Sequence, residues 1–128
     1  MTFQFSQKSL DKLKGINNDL IAIVERALEL SKVDFVVVEG RRTIERQKKL
    51  VASGASKTMN SRHISGHAVD LAPYIDGEVR WDWPPFYDIA KAMKAAAKEL
   101  NIPIEWGGDW RQFKDGPHFQ LTWNDYPI

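Results

Sequence analysis

The chain has 128 residues, with 18 basic and 17 acidic side chains and no cysteine. This length predicts one domain, spanning residues 1–128, with a single buried core. A net charge of +1, without any basic run, argues against nucleic-acid binding. Because cysteine is absent, disulfides and thiolate metal ligands are excluded, and histidine, aspartate and glutamate are the strong metal ligands that are left.

The beginning of the chain shows no targeting signal. Residues 1–8 lack the apolar stretch of a secretory signal peptide. No window of the sequence approaches the length of a transmembrane helix. We therefore expect a protein that accumulates in the cytoplasm without a signal peptide and without inserting into a membrane. A monomer is the expected oligomeric state.

The first part of the chain predicts two helices. Ser6 can cap a short helix that Gly15 ends, and Asn17 or Asn18 can cap the next one. Apolar residues at helical spacing predict an inward stripe on the second helix. The stripe is formed by Leu20, Ile21, Val24, Ala27, Leu28 and Ser31. Both helices are predicted to be scaffold.

A buried strand is predicted over residues 34–39, where β-branched side chains are bounded by polar ones. Thr43 then caps a helix that carries Gln47 on one side with apolar residues. An arginine at this strand-to-helix junction is held by two rigid elements, which suits a fixed positive charge. The alternative is that Arg41 and Arg42 are simply solvated turn residues.

A polar loop is predicted over residues 54–60, and the alternating pattern from His67 onward predicts a strand. In a regular strand His67 points away from Asp70. His63, in the preceding loop, is therefore the better partner for that carboxylate. Residues 74–79 contain an Asp-Gly pair typical of a two-residue hairpin, so at least part of the sheet is antiparallel.

The last part of the chain predicts one long helix and two strands. Pro84 and Pro85 suit the first turn of the helix. Its apolar face is formed by Phe86, Ile89, Ala90, Met93, Ala97 and Leu100. A short strand over residues 102–106 leads into a turn with Trp110 at its rim, and His118 begins the final strand. The predicted fold is α+β: a small, mainly antiparallel sheet with helices packed on one side and a metal cleft on the other.

Three side chains are candidate metal ligands: His63, Asp70 and His118. Two histidines and a carboxylate form the ligand set of a catalytic zinc, with one position left for water. Each residue has another explanation, because a lone histidine beside apolar residues is usually a structural one. A purely structural zinc is a further alternative, although such sites normally take all four ligands from the protein.

Polar residues near these candidates could carry out a hydrolysis. Zinc can activate a water molecule and polarise a carbonyl. Asp115, three residues before His118, could act as general base and later protonate the leaving amine. Arg42 could stabilise an oxyanion or bind a substrate carboxylate, and Ser61 could hydrogen-bond the substrate backbone. The two acids, Asp70 and Asp115, could instead be caps or turn formers.

Taken together, the motifs resemble those of a known family. Ser-x-His-x-x-Gly-x-Ala-x-Asp at residues 61–70, followed by Asp-x-x-His at residues 115–118, resembles the D-Ala-D-Ala carboxypeptidase-like zinc peptidases. The wider group includes the hedgehog signalling domain and the lysostaphin-type enzymes. Gly-x-Arg-Thr at residues 40–43, with Gln47 after it, and Trp-Gly-Gly-Asp-Trp at residues 106–110 also match. Within the group the chain looks most like the compact L-alanyl-D-glutamate endopeptidases used as phage endolysins.

The resemblance implies a role for each matching residue. It implies zinc ligands at His63, Asp70 and His118, a catalytic acid/base at Asp115 and a substrate or oxyanion arginine at Arg42. Ser61, Gln47 and Trp110 are expected to contact the substrate, a peptidoglycan stem peptide. Asp115 departs from the carboxypeptidase branch, whose base is commonly a glutamate, and this favours the endopeptidase branch.

The expected function is zinc-dependent hydrolysis of the L-Ala–D-Glu bond of peptidoglycan by a single peptidase domain without a separate wall-binding domain. Such an endolysin reaches the cell wall when the inner membrane is permeabilised, and it lyses the host cell. The nearest alternative is a D-Ala-D-Ala carboxypeptidase. A non-catalytic, zinc-stabilised binding module is another, because the hedgehog branch retains zinc without evident hydrolysis.

Overall fold

The computed structural model describes residues 3–56, 58–59, 61–112 and 114–127. The elements follow in this order: α1 (Gln7–Lys12), α2 (Asn18–Leu30), β1 (Phe35–Glu39), α3 (Ile44–Ala52), α4 (Arg62–Ser65), β2 (Ala68–Ile75), β3 (Glu78–Val79), α5 (Trp83–Leu100), β4 (Ile104–Trp106), a 3-10 turn (Gly107–Asp109) and β5 (His118–Leu121). The polar loop predicted over residues 54–60 lies only partly within this description, because Lys57 and Asn60 are outside the described residues.

The predicted helix starts are confirmed by their capping bonds. The Ser6 side chain accepts a hydrogen bond from the backbone N–H of Ser9, and Asn17 caps α2 in the same manner. Thr43 accepts a bond from the backbone N–H of Arg46 at the start of α3. Each such bond satisfies a backbone donor that the helix itself leaves free, which stabilises a helix by about 1 kcal/mol.

The sheet is antiparallel throughout its described pairs. Its strands lie in the order β1-β2-β5-β4, and β3 pairs with the end of β2. The predicted hairpin is confirmed, since Tyr74 pairs with Val79 and both turn residues, Asp76 and Gly77, have positive φ. The predicted α+β class with a mainly antiparallel sheet is therefore confirmed.

One face of the sheet belongs to the core. Val69 pairs with Phe119 and Val37 pairs with Leu71, so their side chains project to the same side. They form one buried cluster with α2 and α5, which pack against each other. Val69, Leu71 and Phe119 are 0% exposed, and each burial of this kind contributes about 1.5–3 kcal/mol.

Two details of the predicted helix faces are corrected. Ile23, which was outside the predicted stripe of α2, is 0% exposed, because α2 packs against α5 within the buried cluster. Leu100 was predicted on the inward face of α5 but is 39% exposed, since it is the last residue of that helix. None of the helices in the described part of the chain is long and apolar enough to cross a membrane.

The opposite face of the sheet carries a row of polar side chains. Glu39 lies opposite Asp70, and Asp70 lies opposite His118. A register shift between Val37 and Glu39 interrupts the regular pairing of β1, so that a core residue and a site residue follow each other closely in one strand. The strands therefore bring together, by pairing alone, side chains that are far apart in the sequence.

Candidate active site

Three side chains converge on one point at the polar face of the sheet. His63 Nε2 lies 3.3 Å from Asp70 Oδ1, and His118 Nδ1 lies 3.4 Å from the same oxygen. One ligand atom from each residue lies within 4.8 Å of the other two. The three residues singled out in the sequence are thus brought together, in the arrangement that a metal ion requires.

His67 takes no part in this cluster. Its Nδ1 lies 2.6 Å from Ser65 Oγ, and its ring centroid lies 6.3 Å from that of Tyr126. The preference for His63 over His67, which was based on strand alternation, therefore agrees with the geometry. The segment before Gly66 differs from the prediction in one respect, because it is not a loop: residues Arg62–Ser65 form a helical turn capped by Ser61.

The protonation of the two histidines suits metal binding. His63 Nδ1 lies 2.9 Å from the carbonyl oxygen of Gly40, which can only accept a hydrogen bond, so Nδ1 carries a proton and, in the neutral ring, Nε2 presents a lone pair. His118 Nε2 lies 2.7 Å from Gln120 Oε1. The Gln120 amide nitrogen donates to Glu105 Oε2 at 3.3 Å, which orients the amide oxygen toward His118. In their neutral forms both rings thus turn an unprotonated nitrogen toward Asp70, as metal-binding histidines do.

Two buried atoms of the cluster have no hydrogen-bond partner among the described residues. They are His63 Nε2 and Asp70 Oδ1. A buried acceptor without a partner is costly, and here two acceptors face each other across 3.3 Å. A cation between them would satisfy both, so the residues present fit a metal ion.

The charges of the cluster are strongly coupled. Burial would raise the pKa of Asp70, but the neighbouring His118 and His63 outweigh it and hold that pKa well below its usual range. Burial would lower the pKa of His118, but its contact with Asp70 raises the pKa overall. Asp70 is therefore ionised at neutral pH, as a carboxylate that binds a metal must be.

Arg42 is fixed beside the cluster rather than solvated. Its guanidinium donates through Nε and Nη2 to the two carboxylate oxygens of Glu39, each at 2.8 Å, and its side chain is only 8% exposed. Its Nη2 lies 3.9 Å from Asp70 Oδ2. Burial would raise the pKa of Glu39, but the hydrogen bonds and positive charge of Arg42 lower it. By contrast, Arg41 is exposed, so the solvated-turn alternative holds for Arg41 alone.

Gln47 lies behind Arg42 and does not line the cleft. Its side chain is 0% exposed. Its oxygen accepts from Arg42 Nη1 at 2.6 Å, and its amide nitrogen donates to Ser56 and to the Thr58 carbonyl. The direct substrate contact predicted for Gln47 does not fit this burial, because every polar group of the amide is used inside the protein. Gln47 supports Arg42 instead.

Ser61 and Trp110, for which substrate contact was predicted, both line the cleft. The Ser61 oxygen accepts from the backbone N–H of His63 at 3.2 Å and lies 3.5 Å from Arg42 Nη1. The Trp110 ring lies 5.1 Å from the His118 ring, centroid to centroid. Both side chains border the metal cluster and can contact a bound ligand.

Asp115 stands at the rim of the same cleft. No hydrogen bond to its carboxylate is present among the described residues. Partial burial and the negative charge of Asp70 raise its pKa. The turn that carries Asp115 depends on Gly107, whose carbonyl accepts from the backbone N–H of Asp115 at 3.0 Å. A Cβ at Gly107 would collide with the Asp115 carbonyl oxygen and would lie 3.1 Å from His118 Cβ.

Three residues that hold the site were not predicted: Glu39, Gly40 and Gln120. Glu39 ends a strand and Arg42 lies in the turn after it, so neither helical nor strand periodicity predicts that the two side chains meet. Gln120 carried a usable signal, because residues two apart in a strand share a face. That signal placed Gln120 beside His118 but did not reveal the hydrogen bond.

The cleft around these residues has a volume of about 850 Å³, which is ample for several residues of a peptide. It is open along the polar face of the sheet. Glu39 and Arg42 lie at its β1 end, the metal cluster lies in the middle, and Glu105 and Gln120 lie at its β4–β5 end.

The helix-backed antiparallel sheet with this cluster on its free face defines the class: it is the D-Ala-D-Ala peptidase-like fold. The crystal structure of the vancomycin-resistance D,D-dipeptidase VanXYg, with a phosphinate analogue of D-Ala-D-Ala, matches with a TM-score of 0.54 at 19% identity. The match covers 83% of this chain and 50% of that one, and it shows the fold alone. Residues 1–122 match the family described as phage L-alanyl-D-glutamate peptidase, and the chain belongs to this family.

Two relatives span nearly the whole chain. The L-alanyl-D-glutamate peptidase of Escherichia phage T5 is 39% identical over 137 aligned positions, which cover 95% of this chain and 100% of the relative. The crystal structure of the Serratia marcescens L-Ala D-Glu endopeptidase ChiX matches with a TM-score of 0.94 at 45% identity. That match covers 99% of this chain and 96% of the other.

Proposed function

We propose that this chain is a zinc-dependent endopeptidase that hydrolyses the L-Ala–D-Glu bond of peptidoglycan stem peptides. The observation that carries the proposal is the cluster of His63, Asp70 and His118, two of whose buried atoms are left without a partner. Family membership and the two full-length relatives support the choice of bond. A purely structural metal site is disfavoured, since the protein supplies three ligands and an open cleft.

Zinc is the metal that suits this donor set best. Two imidazoles and one carboxylate, without thiolates, are a common catalytic zinc set. The ligand atoms would be His63 Nε2, Asp70 Oδ1 and His118 Nδ1. When bound, zinc supplies Lewis acidity that activates water and polarises a carbonyl.

Asp115 is proposed to move the proton. Its oxygens accept no hydrogen bond among the described residues, whereas Glu39 and Glu105 are held by partners and Asp70 is a proposed metal ligand. Its raised pKa suits a group that must accept a proton from water and return it to the leaving amine. Its position at the rim leaves it accessible to both.

Arg42 is proposed to bind a negatively charged oxygen of the substrate or of the transition state. Glu39 and Gln47 hold its guanidinium from two sides, so little rotamer entropy is lost when a ligand arrives. Ser61 and Trp110 would line the bound peptide, Ser61 by hydrogen bonding and Trp110 by packing. Gln47 acts as a positioning residue through Arg42.

Mass spectrometry of digested peptidoglycan tests the choice of bond. The proposal requires stem peptides that begin at D-Glu, with L-Ala left on the glycan strand. Release of free D-Ala alone would assign the chain to D-Ala-D-Ala carboxypeptidases instead. Binding of zinc without any turnover would indicate a non-catalytic binding module.

The biological setting belongs to the same proposal. The family description and the phage T5 relative support a role in host cell lysis. In that role the protein is made in the cytoplasm and acts on peptidoglycan once the inner membrane is permeabilised. Expression in a bacterial host with and without a membrane-permeabilising protein tests it, since lysis is expected only when both are present.

A further inference from the structure

Arg62 has an unusual environment for an arginine. Only 2% of its surface is exposed, yet its Nε and Nη1 have no hydrogen-bond partner among the described residues. These two nitrogens carry three of the five N–H groups of a guanidinium. Only Nη2 is used, donating to the carbonyl oxygens of Leu121 at 3.1 Å and Thr122 at 3.3 Å.

A buried cation with unused donors is costly to the fold, because its hydration is lost without replacement. Burial accordingly lowers the pKa of Arg62, although Glu105 opposes the shift. Nothing in the hydrolysis proposed above uses this side chain. An unsatisfied buried group of this kind is a candidate for ligand binding.

The neighbours of Arg62 show where such a ligand would bind. Arg62 lines the cleft together with Trp123, Glu105 and Gln120, at the β4–β5 end. The guanidinium carbon lies 4.1 Å from the centre of the Trp123 ring. Trp123 is 42% exposed, and its indole makes no hydrogen bond among the described residues. No hydrogen bond among the described residues therefore opposes a movement of this ring when a ligand binds.

We propose that Arg62 binds a carboxylate on the side chain of the third residue of the stem peptide, the residue that follows D-Glu. This inference rests on the proposed function and refines its substrate class. A planar guanidinium with free donors matches a carboxylate. Glu105, at the same end of the cleft, supplies the charge that an adjacent ammonium group requires. Arg62 and Glu105 together thus fit a side chain that ends in both a carboxylate and an ammonium group, as in diaminopimelate. The side chain of lysine ends in an ammonium group only.

The position of Arg62 selects this carboxylate among those of the substrate. The α-carboxylate of D-Glu is one carbon away from the scissile nitrogen, so it lies beside the metal cluster, where Arg42 stands 3.9 Å from Asp70. Glu105 contacts Gln120, which separates it from His118, and the Arg62 guanidinium donates to the carbonyl oxygens of Leu121 and Thr122, which follow Gln120 along the chain. On the L-Ala side of the scissile bond the substrate carries no carboxylate at all.

Three synthetic peptides test the proposal with the zinc-loaded protein. The first is L-Ala-γ-D-Glu-diaminopimelate-D-Ala, the second has L-Lys in the third position, and the third has D-isoglutamine in the second position. Wild-type kcat/KM is expected to be at least about tenfold higher for the first peptide than for the lysine peptide, as for a hydrogen bond between charged groups. In Arg62→Gln this preference should disappear, chiefly through a higher KM for the diaminopimelate peptide. Arg41→Gln, which removes an exposed arginine outside the cleft, should keep it.

Several results would overturn the assignment. Equal wild-type kcat/KM for the diaminopimelate and lysine peptides would do so, even if Arg62→Gln failed to fold. An Arg62→Gln variant that retained the preference would also overturn it. So would a variant whose loss of kcat/KM depended on the α-carboxylate of D-Glu, which the D-isoglutamine peptide lacks, and not on the third residue. Trp123→Ala is the second variant, and it should change the preference without changing bound zinc. Cleavage of the lysine peptide between L-Ala and D-Glu would leave the proposed function intact in every case.

Discussion

On β5, Nε2 of His118 lies 2.7 Å from Oε1 of Gln120, two residues further along the strand. The bond fixes which nitrogen of His118 carries the proton and turns the other nitrogen toward Asp70. Gln120 is itself oriented by Glu105 on the neighbouring strand. The proposed metal site therefore depends on a chain of hydrogen bonds that crosses two strands.

Gln120→Leu is expected to weaken zinc binding by about 10- to 100-fold, because His118 loses the partner that sets its tautomer and orientation. Zinc affinity can be measured by competition with a chromogenic chelator. Gln4→Leu, at an exposed position near the N-terminus, is the matched control and should bind zinc like the wild type. An unchanged affinity in Gln120→Leu would show that the hydrogen bond does not support the ligand.

Asp115→Asn is expected to lower kcat by a factor of about 10² or more, because an amide cannot accept and return the proton. Bound zinc should remain at the wild-type level, since Asp115 is not among the ligands. Asp109→Asn is a suitable control: Asp109 is exposed and pairs with Lys94 outside the metal cluster. A kcat within a few fold of wild type in Asp115→Asn would remove Asp115 from the reaction.

Gly107→Ala is expected to lower both stability and turnover. The added Cβ would collide with the Asp115 carbonyl and would lie 3.0 Å from Asp115 Cβ, so the carboxylate must shift. Gly54→Ala separates the two effects. Gly54 has open space around it but a φ of +82°, so alanine there should cost about 1 kcal/mol of stability without changing kcat. Thermal unfolding measures the loss of stability in each variant, and kcat measures the loss of turnover. Equal kcat in the two variants would contradict the role of the Gly107 turn in positioning Asp115.

The C-terminal turn should respond to alkaline pH. The hydroxyl of Tyr126 donates to Asp19 Oδ2 at 2.6 Å, and this bond raises the pKa of Tyr126 to about 12. A folded-state pKa above the unfolded value of about 10 means that the bond stabilises the protein fully below pH 10 or so. The contribution is lost as pH rises toward about 12, because the unfolded state releases its proton first.

Tyr126→Phe should therefore be less stable than wild type at neutral pH, and the difference should shrink as pH rises from about 10 to 12. Denaturant unfolding at several pH values measures it. Tyr74→Phe, at an exposed tyrosine in the hairpin, serves as control and should show no such trend. A difference that stayed constant up to pH 12 would show that the Tyr126 bond does not form in solution.

Local sequence signals predicted much of the fold. Ser6, Asn17 and Thr43 cap helices through hydrogen bonds to backbone groups no more than three residues away. Such caps can therefore be predicted from the local sequence. The choice of His63 over His67 also depended on a local signal. Side chains alternate between the two faces of a strand, so the sequence shows that His67 and Asp70 lie on opposite faces. The convergence of His63, Asp70 and His118 was predicted because two motifs carry the three residues.

The remaining features depend on pairing between distant segments. The register shift in β1 that sets Glu39 beside Asp70 is decided by how two strands meet. Nothing in the sequence distinguishes Gln47 from an ordinary polar helix residue. Its complete burial depends on the approach of Arg42, Ser56 and Thr58. The sequence likewise marked Arg62 merely as the residue before His63. Its burial under Trp123 follows from the path of the chain after β5.

The most direct test of the account is zinc content measured together with turnover. Purified protein should bind one zinc ion per chain, lose cleavage of peptidoglycan after exhaustive chelation, and regain it when zinc is restored. His63→Ala should bind zinc much more weakly and show no turnover. Full-rate cleavage by protein that has been stripped of metal would contradict the central claim.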